Sequence, residues 1–240
     1  MTPPLWLTRA RVRQHAPAAA LRALLLPEDH GRRAGAGHRL VWTLFADSPD
    51  RERDFLWRET EAGTFYLLSR REPHDAHGLF ELDPPKRFAP QLSNGDRLVF
   101  SLRANATVAK KVPGQARGKP CDVVMAAIRE VPSDARAAAR AAAIEREGRQ
   151  WLEAQGARCG FALVPTQDVD GDAVAARPAV RVTGYRTLRV DHGGPDARIG
   201  VLDFEGTLEV CDPACFVAAL GQGFGRAKAF GCGLMLVRRA

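Results

Sequence analysis

The sequence predicts an α+β protein of two tandem ferredoxin-like (RRM-like) β-α-β-β-α-β domains, and three observations carry that reading. Strand-like apolar alternation recurs in both halves of the chain. Each half also offers about two helical segments, and a basic stretch with Pro113, Gly114 and Gly118 separates the halves at Lys110 to Lys119. The domains accordingly run over residues 1–112 and 119–240. With 240 residues, 45% apolar and 26% charged, the chain has the material for two small hydrophobic cores and is too apolar for disorder. Its longest apolar runs, such as Ala23–Leu26 and Val123–Ile128, fall far short of the roughly 20 residues of a membrane span.

Leu5 to Arg13 alternates loosely between apolar and polar residues and reads as a strand. Pro17 to Gly37 is rich in Ala, Gly and Arg, which predicts a short helical turn and then a mobile loop leading directly into His38. Leu40, Val41, Leu44 and Phe45 recur at helical spacing, so a short amphipathic helix begins there with His38 and Arg39 in its first turn. Phe55 to Arg58 and Thr64 to Leu68 form a hairpin, and Asn94-Gly95-Asp96 turns the chain into a strand over 97–102. In the second half, Ser133 is placed to cap a helix running to about Ala154. Strands follow at Phe161–Val164, Val180–Val190 and Ile199–Val210. Asp212-Pro213 caps a helix to about Leu220, Gly221–Gly233 is a glycine-rich loop, and Leu234–Val237 is a last strand.

Thirty-five basic residues against 28 acidic ones give a net charge of +7. The distribution is more informative than the sum, because bases interleaved with acids make an ordinary solvated surface. Acids are missing from Arg97 to Lys119, from Arg181 to Arg189, and after Asp212. Such gaps suit a polyanionic partner. Five dispersed cysteines, odd in number, argue against a disulfide framework and for a reducing cytoplasm. Cys211 and Cys215 are the only close pair, and no histidine companion completes a metal site. No metal and no cofactor are expected.

Three motifs bear on chemistry. The run from Gly221 to Gly233 follows a helix and lies too near the C-terminus for a dinucleotide-binding unit, and it lacks the Gly-Lys-Ser/Thr of a Walker loop. Gly223, Gly225, Gly231 and Gly233, with Arg226 and Lys228, instead suit close backbone approach to an anion; a tight helix-to-strand connection alone explains one or two of the five glycines. His38-Arg39 sits at a predicted loop-to-helix junction, a position from which an imidazole can move protons. Arg103, Lys110 and Lys111, with Tyr185, Arg186 and Arg189, place bases and an aromatic ring on probable strands without acids nearby, which favours nucleic acid.

These residues together resemble the CasE family of CRISPR-associated endoribonucleases, the repeat-processing subunit of Cascade. The likeness spans nearly the whole chain. It rests on the strand Leu5–Arg13, on His38-Arg39-Leu40-Val41-Trp42-Thr43-Leu44-Phe45 followed by Asp54-Phe55-Leu56, on Leu102-Arg103-Ala104-Asn105, and most specifically on Gly223 to Leu234. The resemblance implies that His38 is the catalytic histidine, with Arg39 and Lys228 stabilising phosphate charge, Arg103, Lys110 and Lys111 on the RNA backbone, and Arg186 and Arg189 on the stem. It implies metal-independent cleavage of pre-crRNA at the 3′ side of the repeat stem base. The ribose 2′-OH is the nucleophile, and the crRNA stays bound within Cascade. His38 can serve as general base or general acid. Family members often carry a tyrosine three residues before the histidine, whereas this chain has Gly35; either His30, Arg32 or Arg33 takes that part, or the site relies on His38 and RNA distortion alone. The alternative is a non-catalytic RNA-hairpin-binding subunit of a ribonucleoprotein complex.

Overall fold

β1 (Trp6–Val12) forms where the N-terminal alternation predicts it and becomes an inner strand of the first sheet. The structure, a computed structural model, is described for residues 4–13, 27, 29–45, 52–111, 118–166, 177–178, 180–190 and 198–240. After β1 come α1 (His30–Trp42), β2 (Phe55–Glu61), β3 (Thr64–Ser69), β4 (Phe80–Leu82), β5 (Lys86–Arg87), β6 (Arg97–Ala104), β7 (Thr107–Lys110) and β8 (Lys119–Asp122). The chain continues through α2 (Val123–Ile128), α3 (Arg136–Cys159), β9 (Phe161–Leu163), β10 (Pro165–Thr166), β11 (Arg177–Pro178), β12 (Val180–Arg189) and β13 (Arg198–Val210). It ends with α4 (Pro213–Gln222), a 3-10 turn at Lys228–Phe230, and β14 (Met235–Arg239).

Two sheets with one topology result. The first runs β4-β1-β3-β2, with β5 also paired to β1. The second runs β14-β6-β13-β12, with β9 also paired to β13. β6, β12, β13 and β14 thus repeat the roles of β1, β2, β3 and β4, the ferredoxin-like order. The two compact units are Met1–Gln91 with Thr187–Ile199 and Ala227–Leu234, and Leu92–Arg186 with Gly200–Arg226 and Met235–Ala240. Where the sequence suggests a division at 112–119, the pairing of β6 with β13 and β14 puts residues 97–104 in the second unit. The basic Pro- and Gly-containing stretch instead joins β7 to β8, which pair from Thr107↔Asp122 to Lys110↔Lys119; residues 112–117 within it lie outside the described residues.

β6 has the period-2 burial that defines a sheet with one wet face: Leu98, Phe100, Leu102 and Ala104 are buried, while Arg97 is exposed and Val99, Ser101 and Arg103 are half-buried. These side chains share the second core with Trp151 and Phe204, whose rings stack at 5.8 Å, and with Phe161, Phe216 and Phe224. The first core gathers Ala10, Leu40, Val41, Leu44, Phe45, Phe55, Trp57, Phe65, Leu67 and Phe80. Burying each of the larger of these side chains stabilises the fold by about 1.5–3 kcal/mol.

Two local expectations are corrected. Residues 30–37 are the first turns of α1 and not a mobile loop, so His38 is deep in the helix and not in its first turn. The part of that stretch at 17–26 lies outside the described residues. Three glycines argue against a helix on propensity, but Ala34, Ala36, Gly37, Leu40, Val41 and Leu44 are buried and tertiary packing outweighs propensity. Bidentate bonds from Arg33 to Glu59, both at 2.8 Å, tie α1 to β2. Second, Ser133 does not cap α3, which starts from Ala135 without a side-chain cap; Asp212 does cap α4, accepting from the Cys215 N–H at 3.0 Å. The crossover from β3 to β4 is a loop over 70–79; the Asp75 carboxylate accepts the Leu79 and Phe80 N–H groups and turns the chain into β4.

Gly37 decides how closely α1 approaches β2. A Cβ at this position would lie 2.7 Å from Cη2 of Trp57, a ring only 2% exposed and without room to retreat. Gly37→Ala gains about 1 kcal/mol of helix propensity but forces this overlap, which costs about 1–3 kcal/mol. Urea unfolding is expected to give a lower midpoint for the variant with an unchanged m-value.

Candidate active site

His38 is the ninth residue of α1 and half-buried. Its Nε2 accepts a hydrogen bond from the indole Nε1 of Trp42, one turn on, at 3.0 Å. The other ring nitrogen, Nδ1, is buried. Trp42 is held in turn: its ring meets Phe55 edge-on at 5.2 Å, and Phe55 stacks on Phe45 at 4.6 Å. Arg39 is exposed and reaches back along the helix, so that a guanidinium nitrogen lies 3.7 Å from where a Gly35 Cβ would stand. Among the described residues, that guanidinium nitrogen is the nearest neighbour of the Gly35 position. Of the groups expected to replace a tyrosine there, Arg33 is engaged by Glu59; the side chains of His30 and Arg32 lie outside the described residues.

The later part of the glycine-rich segment, from Ala227, belongs to the same unit. The Trp57 Nε1 donates to the Ala229 carbonyl at 3.3 Å, and a Cβ at Gly231 would come within 3.1 Å of the Trp57 ring. The indole of Trp57 is therefore covered by α1 through Gly37 and by the 3-10 turn through Gly231. This places Lys228, in that turn, against the strand that α1 also covers. Lys228 is partly buried, and burial together with the positive charge of Arg53 pushes its ammonium below the ordinary lysine range. Burial also lowers the Arg53 guanidinium, whose Nη1 donates to the Phe55 carbonyl at 2.8 Å. The adjacent carboxylate does not compensate it, because Asp54 accepts both bonds of a bidentate contact from Arg71. A half-buried like-charged pair of this kind favours an anion.

Gly223, Gly225, Gly231 and Gly233 all have positive φ, between 73° and 95°. Backbone conformation therefore asks for four of the five glycines, where sequence reasoning allowed one or two. Ala227, at φ 55°, adopts the same region with a side chain, at a cost of about 1 kcal/mol. Gly225 additionally faces the Asn105 carbonyl, 2.8 Å from where its Cβ would be, beside the bridge between Asn105 and Arg226.

In the second unit the acid-free stretches of sequence are not acid-free in space. Arg103 donates to both oxygens of Asp203, at 2.7 and 3.2 Å, and Arg186 bonds the same carboxylate. Tyr185 is half-buried and donates its hydroxyl to Asp122 at 3.2 Å. Burial pushes the Asp122 carboxyl up in spite of this bond and of the N–H groups of α2. Lys110 pairs with Glu130 at 2.9 Å in an exposed contact of little stabilising effect. Lys111 and Arg226 are exposed, as is Arg189 of the first unit. Among the described residues, no three His, Cys, Asp or Glu side chains form a group that could hold a metal ion, and no helix is long and apolar enough to cross a membrane.

Four contributors escape sequence reasoning. Trp42 and Trp57 read as core aromatics, Arg53 is interleaved with Glu52 and Asp54 and reads as solvated, and Asp203 becomes a partner of Arg103 only through the β13–β6 register. The one available signal was the spacing of His38 and Trp42, four apart on a helical face.

A model of the family described as "CRISPR associated protein" matches residues 5–239. The chain is 27% identical over 207 residues to the CRISPR system Cascade subunit CasE of Escherichia coli K12, covering 82% of this chain and 88% of that protein. It is 32% identical over 160 residues to the CRISPR-associated endoribonuclease Cse3 of Thermus thermophilus, covering 67% of this chain and 64% of that one. A solved structure of Thermus thermophilus Cse3 bound to an RNA representing a pre-cleavage complex superposes with a TM-score of 0.66 at 27% identity, covering 98% of this chain and 99% of the other.

The Asp203 cluster sets an acid response. Burial alone would raise this carboxyl, but the bonds and charges of Arg103 and Arg186 outweigh it and hold it below the ordinary carboxylate range. A carboxyl depressed in the folded state contributes stability above its unfolded pKa of about 3.9, and that contribution fades as pH falls through the folded value. Asp203→Asn is expected to cost about 1–3 kcal/mol at pH 7, since two guanidiniums lose their shared partner. Thermal unfolding should show the gap between parent and variant closing as pH drops from about 4 toward 2.

Proposed function

The chain belongs to the CasE family of CRISPR-associated proteins, and on that premise we propose that it is a metal-independent endoribonuclease that cuts CRISPR repeat stem-loops in pre-crRNA. Cleavage falls at the 3′ side of the stem base. The enzyme then keeps the crRNA and works in the cytoplasm with the other Cascade subunits. The observation that carries this reading is the convergence on Trp57 of two elements, α1 with His38 and the 3-10 turn with Lys228.

The chemistry needs three things from the protein. The RNA must be held with its 2′-OH in line with the P–O5′ bond, protons must move, and the extra negative charge of the phosphorane must be met. His38 is the proton-transfer group. Lys228 and Arg53 meet the phosphate charge, and an anion beside them offsets the burial and the like charge that hold the Lys228 ammonium below its ordinary range. Arg39, exposed one residue after His38, adds a flexible cation. The backbone of Gly223, Gly225, Gly231 and Gly233, with Arg226, lets RNA approach closely. Arg103 and Arg186, with Asp203 between them, present oriented guanidiniums to the phosphates, while Lys110, Lys111 and Arg189 act as mobile charges and Tyr185 contributes its ring edge. The nucleophile is supplied by the substrate, so the products are a 2′,3′-cyclic phosphate and a 5′-OH.

His38→Ala tests the assignment. With EDTA present, the variant is expected to bind its cognate repeat hairpin with parental affinity and to cut it at least about 100-fold more slowly in single turnover. Equal rates would remove His38 from the mechanism. A parent protein that shifts the hairpin and leaves it intact would favour the non-catalytic binding subunit.

A further inference from the structure

An indole N–H can only donate, so the Trp42 bond at 3.0 Å requires an unprotonated Nε2 on His38. The neutral imidazole then carries its proton on the buried Nδ1. The direction of this bond is not left to a mobile side chain. Trp42 follows His38 by one helical turn, its ring is set edge-on against Phe55, and Phe55 is buried and stacked on Phe45. Resting on the nuclease reading above, we propose that Trp42 is a positioning residue for cleavage: it holds His38 as the Nδ1–H tautomer, with Nε2 prepared to accept the proton of the RNA 2′-OH.

The indole N–H occupies the place of the substrate donor. When RNA is seated, the 2′-OH takes over the bond to Nε2. The proton passes from O2′ to Nε2 as the O2′–P bond forms, the P–O5′ bond breaks, and the departing 5′-oxygen takes a proton from solvent. His38 returns its proton to solvent afterwards. This assigns His38 the role of general base, a choice that residue type alone leaves open. Trp42 gives up its bond to Nε2 once RNA is seated and touches neither the RNA nor the moving proton.

The test uses the full chain labelled with 15N-histidine. Trp42→Phe keeps an aromatic ring against Phe55 and removes the N–H. In the parent, long-range 1H–15N spectra are expected to show His38 as the Nδ1–H tautomer, its signals identified by their loss in His38→Ala. In Trp42→Phe the Nε2–H tautomer should appear, and the cleavage rate of pre-bound repeat hairpin should fall by about 10-fold with the Kd unchanged. If Trp42→Phe fails to fold, benzothienylalanine placed at 42 keeps the ring outline with sulfur in place of N–H and is read the same way. An unchanged tautomer, or a changed tautomer with the parental rate, overturns the assignment. A parent that binds the hairpin without cutting it overturns the nuclease reading instead, and the tautomer measurement still decides what Trp42 does to His38.

Discussion

The structure of the candidate site depends on one buried indole. Trp57, on β2, is 2% exposed and is approached from two directions by elements far apart in sequence, α1 through Gly37 and the 3-10 turn through Gly231. Either glycine replaced by a residue with a side chain would press a Cβ to 3.1 Å or less from the ring. A hydrogen bond from the indole to Ala229 fixes the turn along the ring edge. The helix that bears His38 and the turn that bears Lys228 are therefore referenced to the same rigid group, and an error in packing at Trp57 is passed to both. Van der Waals contact at this range has little slack, which makes it a precise ruler for a reaction sensitive to displacements of about 1 Å.

Charge is arranged in a different way in each unit. In the first unit, Arg53 and Lys228 are half-buried beside each other while the neighbouring carboxylate of Asp54 turns to Arg71. The repulsion is a standing cost in the free protein that a bound anion would remove. In the second unit, Asp203 instead spaces and orients Arg103 and Arg186. A guanidinium held by one carboxylate still has N–H groups to offer, and it reaches a phosphate with less loss of conformational freedom than a free side chain does.

Much of the fold was legible in the sequence because it is written in local pattern. The period-2 strands at 6–12, 97–104 and 198–210, the hairpin at 55–69, the Asp212-Pro213 cap and the Asn94-Gly95-Asp96 turn all have short-range causes. α1 was hidden because its glycines signal a loop, and only contact with Trp57, supplied 20 residues later, turns Gly37 from a helix breaker into a packing requirement. The role of β6 was hidden because strand partners are not encoded near a strand; a Pro- and Gly-containing insertion between β7 and β8 looked more like a boundary than the short turn before Arg97. The same limit applies to charge. Asp203 is 100 residues from Arg103, and gaps in acidic sequence are filled across strands.

The central claim is that the RNA supplies the nucleophile and the protein supplies a positioned imidazole and cations. The most direct test is cleavage of a cognate repeat hairpin carrying a single 2′-deoxyribose immediately 5′ of the scissile phosphate. The account predicts binding equal to that of the all-ribose hairpin and no cleavage, with the all-ribose hairpin yielding a 2′,3′-cyclic phosphate end. Cleavage of the deoxy-substituted hairpin at the parental rate would mean that water or a protein group attacks the phosphorus, and would contradict the account.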